Sequence, residues 1–378
     1  MKPASRHALI YATQFFAFGV ILPFLPAVLA SRGLDPAEVA IVLAAGSAVR
    51  LLAGPMGGRL ADALSAPRAV LAACALAAAL SSAGFLLSAG FVAMLAVNAA
   101  LSVAMAPIMP VTDSVTLASI RRRPFDYGRV RAAGSITFIL ASLAAGQAIG
   151  RFGLDWAVVL MGLALLATAG ASVLLPSVEA TQGGPRGLAG FLVPLRIVAL
   201  RRLVLVSALI QGSHAFYYAF GTLHWQAAGL GAELIGALWA TGVVAEIALF
   251  VWGRGLVQRI GAVGLSVAAG LSGVVRWGAT ALTTEPLLLF PIQVLHAGTF
   301  GAQHLAAMIV LGRIAPQAQA GTAQALHASL GGGLSIGLLT LMSGPLYAAF
   351  GGGGFWAMAA LCAAGVPASL ALGRSLPR

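Results

Sequence analysis

A chain of 378 residues that is 60% hydrophobic and only 8% charged lacks the polar surface that water demands, since soluble globular chains carry roughly 25% charged residues. Its formal net charge of +12 would suit a nucleic-acid binder, but the arginines punctuate apolar runs instead of forming one basic patch, which argues against nucleic acid as a partner. Cys74 and Cys362 both lie inside apolar runs with no metal-ligand spacing, so no metal or cofactor is expected and both read as small buried apolar residues.

The apolar runs are about 20 residues long, the length a helix needs to cross the hydrocarbon core. They are continuous, not alternating, which excludes a barrel. Twelve spans are expected, at 7–30, 37–58, 68–89, 91–118, 128–150, 155–175, 202–226, 233–253, 261–283, 286–311, 320–344 and 354–374. The first is too long for the apolar segment of a signal peptide. An all-α membrane fold follows, in two six-helix halves: 1–175, a linker over 176–201, and 202–378.

In chain order, span 1 presents Tyr11, Gln14 and Phe18 on one face, ahead of Pro23 and Pro26. Arg50 falls within span 2 and Asp113 within span 4, beside Pro107 and Pro110. Span 7 presents Gln211, His214, Tyr218 and Trp225 on one face; Glu246 lies in span 8 and Arg276 in span 9. In span 10, Gln293, His296, Phe300, Gln303 and His304 share a stripe. His327 of span 11 is left without a role, ahead of the run Gly331, Gly332, Gly333. A charge at the bilayer centre costs at least about 2.5–3.5 kcal/mol, so Arg50, Asp113, Glu246 and Arg276 need partners or a wet cavity. A buried acid can carry a proton and a nearby cation decides when it leaves, which makes Glu246 and Asp113 candidate proton carriers. Histidine suits proton transfer near neutral pH, which adds His296 and His304. Aromatic walls with amides and imidazoles suit a ligand with a ring and a polar end. Gln14, Phe18, Gln211, His214, Tyr218 and His296 are therefore candidate binding residues, with Arg276 and Arg50 as candidate anchors for a negative charge.

The loops alternate in charge. One set carries Lys2 and Arg6, Arg59 and Arg68, Arg121–Arg123 with Arg129 and Arg131, Arg186 with Arg196, Arg201 and Arg202, Arg254 and Arg259, Arg313, and Arg374 with Arg378. The other has only Arg32 and Arg151. Basic loops stay in the cytoplasm, so both termini are expected inside, in a bacterial inner membrane. Sliding the first half by 196 residues sets Gly33 on Gly229, Gly46 on Gly242, Gly57 on Gly253 and Arg50 on Glu246. Parallel halves of this kind place a binding site near the midplane.

Several stretches carry a resemblance. Gly58-Arg59-Leu60-Ala61-Asp62 followed by Arg68 resembles the loop signature of the major facilitator superfamily, without the glycine and arginine usual just after the aspartate. FDYGRVRAAGS at 125–135, MPVTDSV around Asp113, HWQAAG at 224–229, VVAE ending at Glu246, GVVRWG around Arg276 and LHAGTFGAQHLAAM from 295 are similar to the phenylpropionate transporter branch of that superfamily. That branch is related to lactose-permease-like and nucleoside proton symporters. The resemblance implies a monomeric proton symporter, not an enzyme, whose cargo is an aromatic or phenylpropanoid carboxylate moved by alternating access. Its partners would be protons, the small-molecule cargo and the bilayer. It also implies gating by Asp62 and Arg68, with Asp126, Arg129 and Arg131 of the following basic loop grouped with them. In lactose-type permeases an acid, an arginine and a histidine on spans 8, 9 and 10 couple proton to cargo; here Glu246, Arg276 and His296 or His304 stand on those spans. The lactose-type acid of span 10 is absent, which leaves Glu246 or Asp113 as proton carrier. A sugar or nucleoside symporter and a drug or metabolite exporter remain the alternatives.

Overall fold

The computed structural model describes residues 2–176, 192–316 and 319–376, with Asp62 described in its backbone alone. The expected linker residues Gly183 to Arg186, the terminal Arg378 and the Asp62 carboxylate therefore lie outside the described residues. Among the described residues every regular element is helical. Eleven helical stretches are long and apolar enough to cross a membrane. The last, Ala320–Gly373, runs for 54 residues, well beyond the roughly 20 of one crossing. A short 3-10 turn, Gly351–Gly354, interrupts it where the eleventh and twelfth spans were expected to meet.

The helices are α1 (Pro3–Ser31), α2 (Pro36–Ala63), α3 (Pro67–Leu87), α4 (Phe91–Met105), α5 (Ile108–Arg122), α6 (Tyr127–Phe152) and α7 (Asp155–Val173). They continue with α8 (Val198–Ile210), α9 (His214–Ala227), α10 (Ala232–Trp252), α11 (Arg254–Leu282), α12 (Pro286–Val294), α13 (Gln303–Ile314), α14 (Ala320–Leu326), α15 (Ser335–Phe350) and α16 (Phe355–Gly373). Four spans expected as continuous are broken. The span over 91–118 divides into α4 and α5 before Pro107, which has no N–H to continue the ladder. The span over 202–226 divides into α8 and α9 around Gly212. The tenth passes through a π-helical segment, Ala297–Ala302, and the eleventh through another, His327–Leu334. Such segments recur at functional sites. The α11 helix bends at Gly261 (φ +65°), which is where the ninth span was expected to begin.

The chain forms two compact units, Met1–Gly183 with Gly229–Ala240, and Gly184–Ala228 with Thr241–Arg378. The first is centred on Ile10 of α1, Leu71 and Ala75 of α3, Val111 and Val115 of α5 and Ala171 of α7. Its inclusion of Gly229–Ala240 follows from close packing: a Cβ on Gly236 would lie 2.3 Å from the Ser142 carbonyl oxygen of α6. Small residues that let helix backbones approach are what hold helices together in lipid. The second unit is centred on Leu203 and Val206 of α8, Leu265 and Ala269 of α11, Ala306 and Val310 of α13, and Leu372 of α16. Gly33 and Gly229, paired by the repeat, both adopt positive φ (+90° and +86°), a conformation that favours glycine.

Candidate substrate and proton site

Arg276 sits two turns before the end of α11 and its side chain is fully buried in the second unit. Among the described residues it makes no ion pair; its partners are neutral. Nη1 donates to Thr299 Oγ1 (2.9 Å) and His296 Nδ1 (3.0 Å), and lies 3.2 Å from His214 Nε2. Nη2 donates to Gln293 Oε1 (3.0 Å), which also accepts from the Tyr217 hydroxyl (3.1 Å). The guanidinium lies over the rings of Trp277 (4.4 Å) and Tyr217 (5.0 Å), where ring electrons offset part of its desolvation.

These contacts assign the tautomers of both histidines by donor–acceptor accounting. His214 Nδ1 faces the Gln211 carbonyl oxygen (3.1 Å), so the proton is on Nδ1 and Nε2 accepts. His296 Nδ1 accepts from Arg276, so its proton is on Nε2. That N–H faces Glu246 Oε2 at 3.6 Å, close enough for charge attraction and too long for a hydrogen bond. A cation, a neutral imidazole and an acid thus stand in sequence: Arg276, His296, Glu246. The His296 ring stacks on Phe300 (centroids 5.3 Å) and Phe300 on His304 (6.4 Å). The π-helical segment Ala297–Ala302 carries both Thr299, which accepts from Arg276, and Phe300, the middle ring of this stack.

The expected binding residues divide between the units. Arg276, His214, His296, Gln211 and Tyr218 gather in the second, with Tyr218 packed on His214 (5.6 Å). In the first unit Gln14 Nε2 donates to Thr112 Oγ1 (2.5 Å), and Phe18 packs on Phe15 (5.8 Å). Arg50 is exposed and donates to Ser47 (3.0 Å) and Ser102 (3.3 Å), its own unit's hydroxyls. Asp113 accepts from the hydroxyls of Tyr11 and Tyr127. Of the expected gating residues, Asp126, Arg129, Arg131 and Arg68 have different partners. Asp126 caps α6 by accepting from the Arg129 backbone N–H (3.0 Å), and the Arg129 side chain lies 3.5 Å from the same carboxylate. Arg131 instead covers Phe15 (4.0 Å) and Tyr11 (5.6 Å). Arg68 reaches the Leu175 carbonyl oxygen (3.5 Å). The span-10 stripe also parts: Gln303 donates to Ser207 (3.1 Å), which pairs with His327 (2.8 Å). Thr299, Tyr217 and Trp277 were missed by sequence reasoning: Thr299 stands three residues past His296, and the other two are merely neighbours of Tyr218 and Arg276 in the chain.

The family model described as "MFS_1 like family" matches residues 5–358. The chain is 34% identical over 367 residues to the probable 3-phenylpropionic acid transporter of Escherichia coli (strain K12), covering 93% of each. It is 26% identical to the maltose permease of Geobacillus stearothermophilus, covering 89% of this chain and 86% of that one. The solved nucleoside transporter NupG shares its fold at a TM-score of 0.82 and 16% identity, covering 99% of both chains. A matching family model over nearly the whole chain, on a frame of long apolar helices with a buried charge chain inside, shows that the protein belongs to the MFS_1-like family and is a multi-pass secondary transporter of the major facilitator superfamily, not an enzyme.

Proposed function

We propose that the chain carries an aromatic carboxylate of the phenylpropanoid kind inward together with a proton, across a bacterial inner membrane with both termini in the cytoplasm. The observation that carries this reading is the sequence Arg276, His296, Glu246: a fully buried cation whose negative counterpart stands one imidazole away. Similarity to the probable 3-phenylpropionic acid transporter of Escherichia coli supports the choice of cargo.

With Glu246 ionised, its charge faces the His296 N–H and balances Arg276 across the ring. When Glu246 takes a proton, that balance is lost, and an unpaired buried charge costs several kcal/mol. The carboxylate of the cargo restores it. Proton and anion therefore bind together and leave together, so one cycle moves no net charge. His296 transmits the change without becoming charged, because a proton on Nδ1 would meet the guanidinium N–H of Arg276. Helices broken at π segments and at Gly212 supply the joints for alternating access.

Labelled 3-phenylpropionate in proteoliposomes tests the reading. An inward proton gradient is expected to drive accumulation, and a membrane potential alone is not. Glu246→Gln is expected to lose accumulation while keeping exchange of cargo for cargo. Accumulation of sugars or nucleosides with no uptake of the acid would overturn the cargo, and unaltered accumulation in Glu246→Gln would overturn the coupling.

A further inference from the structure

We infer that the Nε edge of Arg276, the side-chain amide N–H groups of Gln293 and the indole N–H of Trp225 form the subsite that receives the cargo's carboxylate and selects it over neutral cargo. This rests on the function proposed above and adds which atoms do the selecting.

The argument starts from unpartnered atoms. Arg276 Nε, Gln293 Nε2 and Trp225 Nε1 are buried and have no hydrogen-bond partner. All three are donors, and no acceptor of the cluster around Arg276 is left unpartnered. Burying polar groups unpaired is costly, and native interiors pair the great majority. These donors are linked through Tyr217, which packs on Trp225 (5.8 Å), lies under the guanidinium (5.0 Å) and donates to Gln293. Donors joined in this way to a cation, with no acceptor in excess, call for a ligand that only accepts and carries negative charge. A carboxylate fits both conditions.

The orientation of the Gln293 amide is imposed. Its Oε1 accepts from Arg276 Nη2 at 3.0 Å and from the Tyr217 hydroxyl at 3.1 Å. A flipped amide would turn its own N–H groups against the guanidinium, so Oε1 is held on Arg276 and Tyr217 and the N–H groups of Nε2 stay available. Tyr217 is the positioning residue here: it fixes the amide and packs on Trp225 (5.8 Å) and Trp277 (5.7 Å). Those rings give the cargo's aromatic end apolar neighbours close to the donors. The Nη1 edge of Arg276 is committed to His296 and Thr299. The carboxylate therefore binds on a different edge from the one that senses Glu246, and proton and cargo need not displace each other. Arg276, Gln293 and Trp225 are all buried in this structure, so entry requires α9, α11 or α12 to part.

The test is equilibrium binding to the purified full-length protein at a fixed acidic pH, read by tryptophan fluorescence and by melting temperature. The probes are 3-phenylpropionate, its neutral amide and acetate. Wild type is expected to bind the acid at least tenfold more tightly than the amide. Gln293→Leu is expected to weaken the acid roughly tenfold to a hundredfold and the amide little. Gln293→Glu places a carboxylate beside Arg276 and is expected to abolish binding of the acid without lowering the melting temperature. Should the leucine variant fail to fold, Tyr217→Phe removes one of the two donors that hold the amide in place and is expected to narrow the preference for acid over amide. Equal affinity of wild type for acid and amide, or unchanged acid affinity in Gln293→Leu and Gln293→Glu, overturns the inference. Tight binding of the acid with no proton-driven uptake would sink symport and leave this subsite standing. Proton-driven uptake that ignores Gln293 would do the reverse.

Discussion

Asp113 and Glu246 stand well inside their spans, away from the ends, and their surroundings separate their roles. Asp113 receives the hydroxyls of Tyr11 and Tyr127 on one oxygen, from α1 and α6, so it joins three helices of the first unit as a shared acceptor. It heads a ladder between α1 and α5, where His7 meets Thr116 (2.9 Å) and Gln14 meets Thr112 (2.5 Å). The α1 partners recur at about one-turn intervals, which places them on one face. Glu246 instead faces an imidazole already bonded to a cation. Substituting each acid by its amide therefore discriminates them. Asp113→Asn is expected to keep proton-driven accumulation and to lower the melting temperature, since both hydroxyl donors lose their charged acceptor, where a single such bond contributes about 1.5–3 kcal/mol. Glu246→Gln is expected to do the opposite. Accumulation assayed beside thermal melting decides it; loss of coupling in Asp113→Asn would move the proton to the first unit.

Helix packing gives a sharper expectation at the scale of elements. Gly236 of α10 meets the Ser142 carbonyl oxygen of α6, where a Cβ would come within 2.3 Å, and backbone cannot rotate away as a side chain would. Gly236→Leu should therefore cost roughly 1–3 kcal/mol or more through overpacking, whereas Gly170→Ala, with nothing within 4 Å of its added Cβ, should be neutral or slightly stabilising. Melting of both variants in detergent checks this; equal melting would show that α6 and α10 separate freely. The helices themselves were legible in the sequence because a lipid-spanning run needs only length and apolarity. The break at Pro107 was legible as a helix breaker, and Gly331–Gly333 only as a weak place in a helix. The π segments were not, because one extra residue per turn leaves no mark on hydrophobic periodicity. The site was half legible: Arg276, Glu246 and His296 stood out because a charge in lipid requires an answer. Thr299, Tyr217 and Trp277 did not, since nothing in linear spacing says which residues meet between α9, α11 and α12. Asp126 also caps α6, a role that its place immediately before Tyr127 gives it.

At the scale of the whole molecule, repeat and charge distribution make one claim that cysteine chemistry can test. The proposed orientation puts Arg123 on the cytoplasmic side and Ala89 on the opposite side. With Cys74 and Cys362 replaced, Ala89→Cys is expected to react in whole cells with a membrane-impermeant maleimide, and Arg123→Cys only after the membrane is opened. The reverse pattern would invert the topology. Gly33 and Gly229, 196 residues apart, both have positive φ (+90° and +86°), as the proposed repeat requires of matching turns. A consequence lies in how the chain enters the membrane. The segment Val198–Ala227 has a mean hydropathy of 1.3 with 72% of its apolar window buried, against 2.2 and 39% for Pro67–Leu87. Its polar side chains, His214 among them, are answered by α11, by Thr299 and by Cys362 of α16, all made after it. During synthesis this segment reaches the bilayer before its partners exist, so its insertion waits on helices still inside the ribosome. A nascent chain that stops after α10 would leave it poorly anchored and open to membrane proteases.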